Sequence, residues 1–153
     1  MAQQRYTLAS ELNTGAGDTF PLGLISAAGK SISVFDLMSA VKVAASDLRV
    51  RGAVFGTSTI ITAGTAQIPQ NLTLNGPASS FTASQAPTGA TLLAQPFVNL
   101  VHQARVTARW LSVDPDSNIY ALANGGVNGT LLTVNTESAA GGNAMLSQVW
   151  VLE

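Results

Sequence analysis

The sequence predicts a mainly β protein: a small β-sandwich or barrel with one packed α-helix at about residues 33–48 and an extended N-terminal arm. Three observations indicate this fold class. From residue 49 onward, short segments rich in β-branched residues recur between Gly, Pro and Asn residues. One segment, residues 103–113, alternates between apolar and polar side chains as a half-buried strand does. Only one segment shows good helical periodicity.

Residues 1–31 are predicted to form the arm, and residues 32–153 a single β-rich domain. The first 31 residues show no sustained period and are broken at residues 13–18, 20–21 and 29–30. Apolar side chains on such an arm must pack on their own domain or on a neighbour. These apolar anchors are Tyr6, Leu8, Leu12, Phe20, Leu22 and Leu24.

The predicted helix begins near Ser33, whose hydroxyl can cap it, and Asp36 lies in the first turn, where the helix dipole favours a negative charge. Apolar side chains then repeat at i, i+4, i+7 and i+11. We expect this stripe to pack on a sheet; it consists of Leu37, Val41, Ala44 and Leu48.

The strand at residues 104–113 places Ala104, Val106, Ala108 and Trp110 on one face and Arg105, Thr107 and Arg109 on the other. Residues 114–117, Asp-Pro-Asp-Ser, end it in a turn. Asn124 and Gly125 mark a tight connection between two later strands. The other candidate strands are residues 50–55, 59–62, 72–74, 91–94, 119–123, 130–134 and 146–152.

Residues 76–96 are rich in Pro, Ser, Ala and Thr and are predicted to form a long loop. An alternative stays open at the end of this loop. Pro96 could begin a helix that runs to residue 104 and shortens the following strand.

The surface carries unusually few charges. Charged residues make up 10% of the chain and apolar residues 46%, whereas soluble domains typically contain about 25% charged residues. Because scattered charges keep monomers apart, we predict that neighbouring subunits cover much of this surface. The alternative is a secreted domain with a low-charge surface and no partner.

Several partners and sites are disfavoured by composition. The net charge of -1 supplies no field that would attract a polyanion, so we expect no direct nucleic-acid binding. No apolar run approaches the roughly 18 residues of a membrane span, and residues 1–6 contain no apolar signal core. We therefore expect no membrane association and no signal peptide. The absence of cysteine excludes thiol catalysis and thiolate metal sites.

Two segments resemble ligand-binding motifs but fail at the decisive positions. Residues 23–31 resemble a phosphate-binding P-loop, yet five residues separate Gly23 from Gly29 where the motif has four. Residues 114–118 resemble the start of a calcium loop, yet Ile119 and Gly125 stand where such a loop needs Gly and Glu. Both segments are interpreted as turns.

No catalytic, cofactor-binding or metal-binding residues are predicted. His102 is the only histidine, and no nucleophile motif accompanies it, so we interpret it as a surface or strand-end residue. The carboxylates fall mostly in turns, where capping explains them. The arginines at i, i+2 spacing are candidate partner contacts, although an ordinary solvated strand face explains them equally well. These residues are Arg49, Arg51, Arg105 and Arg109; with Tyr6, Leu8, Leu12, Phe20 and Leu22 they form the predicted contact set.

In its low charge, lack of cysteine, apolar-studded arm, single helix and many short strands, the chain resembles the capsid decoration (cement) proteins of tailed bacteriophages. The resemblance implies a non-enzymatic homo-oligomer, with a trimer favoured, that is made in the host cytoplasm and located on the virion. It implies contacts with the major capsid protein or other virion subunits. No family residue is carried over, because no motif aligns.

Two alternatives remain open. A self-assembling coat or tail-tube subunit would share the same composition. A glycan-binding or receptor-binding tail module would show an exposed aromatic platform around Tyr120 or Trp150.

Overall fold

The computed structural model describes residues 3–13, 17–27, 29–43, 49–57, 64–89, 91–103, 105–122, 130–137 and 144–153. Within these residues the chain forms twelve strands and one short 3-10 turn, Pro115–Ser117, and contains no α-helix. No helix in this part of the chain is long and apolar enough to span a membrane. The strands are β1 Arg5–Asn13, β2 Gly17–Ile25, β3 Ser31–Val43, β4 Arg49–Gly56, β5 Thr65–Gln67, β6 Gln70–Asn71, β7 Thr82–Gln85, β8 Val98–Gln103, β9 Ala108–Leu111, β10 Ile119–Leu122, β11 Thr130–Glu137 and β12 Ala144–Leu152.

The strands form two six-stranded antiparallel sheets, which confirms the prediction of a mainly β protein. In the first sheet the order is β10-β3-β12-β1-β6, and β9 pairs with β3 beside β10. In the second sheet the order is β5-β7-β2-β11-β4-β8. Neither sheet closes on itself, so of the two architectures left open by the sequence, a closed barrel is ruled out.

The strand order is that of a jelly roll. Four antiparallel pairings make up most of both sheets: β1 with β12, β2 with β11, β3 with β9 and β10, and β4 with β8. The chain alternates between the sheets from β1 to β4 and returns on the partner strands in reverse order. A hairpin rolled up in this way places 1-12-3-9/10 opposite 2-11-4-8. Strands β5, β6 and β7 come from the segment between β4 and β8 and extend both sheets.

The main apolar core lies between the two sheets, because both contribute buried side chains to one cluster. Leu37 and Val149 of the first sheet and Leu22 of the second expose none of their surface. Burying an aliphatic side chain of this kind contributes about 1.5–3 kcal/mol to folding. The remaining members of the cluster are Tyr6, Leu8, Leu24, Ile32, Val34, Val54, Phe81, Ala83, Val98, Ile119 and Val151.

A row of serines crosses the inner face of the first sheet at one end of this core. Ser10 pairs with Ser147, and Ser147 pairs with Ser39. All three are buried. The histidine His102 of β8, in the second sheet, reaches this row, and its Nε2 atom lies 3.0 Å from Ser39 Oγ. The small serine side chains therefore leave room for the imidazole, and a separate cluster of Val41, Val50 and Met145 lies apart from the main core.

The prediction of a helix over residues 33–48 is wrong for the described part, because Ser31–Val43 is a strand; residues 44–48 lie outside the described residues. The register between β3 and β12 shifts at Trp150 and Val151, so Phe35 is an extra residue in β3. This bulge moves the alternation by one position. Val34, Leu37 and Val41 consequently show helix-like spacings of three and four residues although they belong to a strand.

The predicted N-terminal arm is also corrected. Arg5–Asn13 is paired with β12 along its whole length, and Gly17–Ile25 lies inside the second sheet. Tyr6, Leu8 and Ser10 alternate toward the core, while Arg5 and Ala9 face solvent. The sequence pattern was overlooked because a serine occupies one inward position, and the breaks after residue 12 suggested irregular chain.

The later strands were predicted more accurately. The strands at 50–55, 119–123, 130–134 and 146–152 are confirmed as β4, β10, β11 and β12, with bounds shifted by a few residues. Residues 72–74 form a turn, and residues 91–94 contribute one bridge between Thr57 and Leu92. The predicted loop at 76–96 contains β7. The candidate helix at 96–104 is wrong, since Val98–Gln103 is strand β8. The strand at 59–62 and the turn at Asn124 lie outside the described residues.

Tyr6 closes the core at the end opposite the serine row. Its ring makes an edge-on contact with Phe81 at 5.5 Å between centroids, and its hydroxyl donates to Pro77 O at 3.3 Å. Burial raises the pKa of the Tyr6 phenol, and the nearby Glu153 carboxylate raises it further; a hydrogen bond with Asn71 acts in the opposite direction. The folded state therefore favours the neutral phenol.

We predict that truncation of His102 to alanine lowers the free energy of unfolding by about 2–4 kcal/mol, because it leaves a cavity and removes the partner of the buried Ser39 hydroxyl. Urea unfolding measures the change. Gln103→Ala, at the exposed neighbouring position, is the control and should change stability by less than about 0.5 kcal/mol. Equal losses in the two variants would contradict the packing role of His102.

We predict that stability falls as the pH rises above about 10, where Tyr6 ionises in the unfolded chain but stays neutral in the folded one. Stability from this source is complete below that pH and is lost as the pH rises toward the raised pKa of the folded state. Tyr6→Phe should reduce the alkaline loss, measured by urea unfolding between pH 8 and pH 11. Phe81→Leu, a control on the same ring pair, should lower stability equally at both pH values. Identical pH dependence in wild type and Tyr6→Phe would disprove the assignment.

Candidate interaction surface at the open edge of the sandwich

One edge of the sandwich, here called the open edge, is formed by β8 of the second sheet and by β9 and β10 of the first. Within the described residues, β8 pairs only with β4, and β9 and β10 pair only with β3. The outward backbone groups of these strands therefore have no neighbouring strand. An unpaired strand edge is a ready template for pairing with another chain.

A groove of about 690 Å³ lies along the open edge. Several of its apolar side chains are strongly exposed: Val113 exposes 89% of its surface, Phe97 and Leu111 53% each, and Tyr120 47%. Contiguous exposed apolar surface of this kind marks an interaction site more often than solvated surface. The remaining lining residues are Trp110, Ser112, Ser117, Asn118 and Ile119.

Local sequence explains how the groove is built. In β9, Trp110 pairs with Leu37 and packs against the core, whereas Leu111 points outward. The predicted turn after this strand is confirmed: the Asp114 carboxylate accepts hydrogen bonds from Ser117 N at 3.0 Å and from Ser117 Oγ at 3.1 Å. These bonds hold the 3-10 turn against the groove. The strand itself is shorter than predicted, because residues 105–107 form a turn and an extended link before Ala108.

A buried carboxylate lies beside this edge on the outer face of the first sheet. Asp36 exposes 2% of its surface, and Arg109 Nε donates to its two oxygens at 2.9 and 3.2 Å, while Arg109 Nη2 also donates to Oδ2. The guanidinium lies 5.3 Å from the centroid of the Trp150 ring. The Asp36 hydrogen bonds, and then its charge, raise the pKa of Arg109. Arg109 therefore neutralises Asp36 and lies flat on the sheet face.

The N-terminal members of the predicted contact set fall mainly in the core. Tyr6, Leu8 and Leu22 expose 1%, 4% and 0% of their surfaces, so packing within their own fold accounts for their apolar character. Leu12 is partly buried opposite Met145. Phe20 lies in β2, and its side chain lies outside the described residues.

The structure brings one of the two predicted arginine pairs together. Arg49 and Arg51 lie two residues apart in β4; Arg49 is exposed, and the Arg51 guanidinium lies 5.8 Å from the Phe55 ring centroid. Arg105 is exposed in the turn between β8 and β9, so it does not share a strand face with Arg109. The four arginines therefore do not form one patch.

His102 lies at the end of a strand, as predicted, but it is buried and not on the surface. Its Nδ1 atom lies 3.0 Å from Gln103 O, a position in which Nδ1 donates to the carbonyl and Nε2 accepts from the Ser39 hydroxyl. A serine beside an imidazole is also the arrangement of a nucleophile and its base. Ser39 exposes 0% of its surface, however, so a substrate cannot reach its hydroxyl in this structure.

Sequence reasoning overlooked the apolar side chains of the open edge and the Asp36–Arg109 pair. The only available signal was the placement of Leu111 and Val113 just before a polar turn, where solvent-facing residues are expected. Among the described residues, no group of three or more His, Cys, Asp or Glu side chains is arranged to hold a metal ion. Comparisons with protein-family models, with curated proteins and with solved structures found no match.

We predict that Arg109→Ala lowers the melting temperature, because it leaves the buried Asp36 carboxylate without its charged partner. Adding Asp36→Asn to that variant should recover part of the loss, since a neutral amide is less costly to bury. Differential scanning calorimetry measures both changes. Arg5→Ala, an exposed arginine on the same sheet, is the control and should have little effect. An unchanged melting temperature in Arg109→Ala would contradict the role of the pair.

Proposed function

We propose that the protein is a non-enzymatic structural protein of a virion, which binds and stabilises a capsid lattice through protein contacts. The observation that carries this proposal is the apolar groove along an unpaired sheet edge, with Val113, Leu111 and Phe97 strongly exposed. In a chain with only 10% charged residues, little else keeps such an edge from associating. The composition and the groove thus support the same kind of activity.

The mechanism is binding linkage. A protein that binds the assembled shell, and not its separated parts, stabilises the shell by its binding free energy. Many identical contacts on a symmetric lattice add avidity, so modest single contacts suffice.

A second candidate is a self-assembling coat subunit, and two observations favour it. The strand order is that of a jelly roll, a fold that viral capsid domains share with lectins and other proteins. A second exposed apolar cluster, Ile68, Leu72 and Leu74, lies beside β6 at the far side of the first sheet. A shell subunit needs contact surfaces on more than one side. Because a fold does not determine function, the strand order supports this candidate without deciding it.

A glycan-binding module is a third candidate, because Tyr120 and Trp110 line the groove beside Asn118. Aromatic rings with nearby polar groups suit a sugar. Trp150, by contrast, has the Arg109 guanidinium over its ring.

The test is the assembly state of the purified full-length chain, measured by size-exclusion chromatography with light scattering and by electron microscopy. A discrete homo-oligomer, with a trimer favoured, supports decoration; regular shells or tubes support a coat subunit. A chain that remains monomeric at about 100 μM, a concentration at which lattice-forming contacts associate, would contradict both. Glycan-array binding by such a monomer would transfer the assignment to the third candidate.

A further inference from the structure

We propose that two copies of the chain pair with each other through their β9 strands, in an antiparallel, two-fold arrangement that continues the first sheet across both copies. The proposal deepens the proposed function, on which it rests, by naming the contact surface and its occupant. It is carried by the unpaired β9 edge, by the apolar side chains along it and by the opposite charges at its two ends.

The backbone of β9 offers hydrogen-bonding groups on its open side. Ser112 N donates to Phe35 O at 2.8 Å, so the pairing with β3 continues one residue beyond the strand. Hydrogen-bonding direction alternates along an antiparallel strand. Ala108 and Trp110 therefore direct their N–H and C=O groups toward β3, as Ser112 does. Arg109 and Leu111 direct theirs to the open side.

The side chains along this edge are apolar where a monomer would carry charge. Val106 and Leu111 each expose 53% of their surfaces, and Val113 exposes 89%. Monomeric proteins usually protect such edges with charged side chains or proline. The one charged residue inside β9 is Arg109, and Asp36 and Trp150 hold its guanidinium on the sheet face. The edge itself is thereby left open.

The charges on either side of β9 have opposite signs. Arg105 is exposed before the strand, and Asp114 and Asp116 are exposed after it. In an antiparallel pair, the Arg105 end of each copy lies beside the acidic end of the other, so the attraction occurs twice. A parallel pair would place like charges together. Exposed ion pairs add little affinity, but they select orientation and partner.

This charge pattern identifies the occupant as a second copy of the same chain. A two-fold contact uses one surface patch twice, so the patch must be complementary to its own reversed image. The sequence from Arg105 to Asp116 has this property, with a basic end, an apolar centre and an acidic end. A foreign strand would need to carry the same pattern independently.

The test uses two charge reversals, Arg105→Asp and Asp116→Arg, in the full-length chain. Either variant alone places like charges together at both ends of the pair, so its self-association at low salt should weaken about tenfold relative to wild type. An equimolar mixture of the two variants restores opposite charges at both ends. We expect mixed dimers with an affinity within about threefold of wild type, measured by sedimentation velocity and native mass spectrometry. Circular dichroism and melting temperature establish that each variant is folded.

A matched pair of apolar substitutions tests the surface independently of charge. Val113→Ser should weaken pairing, whereas Leu74→Ser, at an equally exposed position (90%) near the opposite side of the first sheet, should not. If wild type associates but the charge variants associate equally well, or the mixture gains nothing over them, the pairing is overturned and the proposed function stands. Equal effects of the two serine variants would also overturn it. A monomeric wild type would overturn both proposals.

Discussion

The apolar contact between the two sheets is the interaction on which the rest of this structure depends. Neither sheet can bury its inner face alone, and the main cluster draws side chains from both. Because the chain alternates between the sheets from β1 to β4, each strand pairing and the face-to-face packing require one another. Most pairings join distant parts of the sequence, as when Arg5 meets Leu152. Folding therefore has to close long loops before these contacts form.

Two polar pairs show how the fold accommodates groups that are costly to bury. Ser39 and His102 satisfy each other where small side chains of one sheet face a large one of the other. Asp36 is buried on the outer face because Arg109 and Trp150 cover it. In both cases the partner comes from another strand, so the polar group helps to determine which strands lie together. Ser10 Oγ has no hydrogen-bond partner among the described residues.

The open edge connects packing with the proposed activity. A jelly roll with two open sheets cannot hide every strand edge, whereas a closed barrel can. At one side the insertion between β4 and β8 supplies extra strands that extend both sheets. At the other side β8, β9 and β10 end the sheets, and apolar side chains line the groove there. The ion pair of Arg109 with Asp36 removes the charge that could have blocked this edge, so a stabilising contact also prepares a surface for association.

Some features followed from the sequence because they depend on neighbouring residues. Alternation and turn residues were sufficient to predict the β class and the strands β4, β10, β11 and β12. The Asp114 turn was predicted correctly because its hydrogen bonds lie within three residues of each other. The low charge of the surface also needs no structure to be read.

Other features were decided only by the tertiary structure, because they depend on partners far along the chain. The bulge at Phe35 arises from the register with β12 and made a strand resemble a helix. The serines of the inner face looked solvent-exposed until His102 was found opposite them. Tyr6, Leu8 and Leu22 could have packed on a neighbour or on their own fold, and only the sheet order placed them in the core. Whether a strand lies inside a sheet or at its edge is a property of its neighbours, so local sequence determined the strands, and long-range pairing determined the exposed edge.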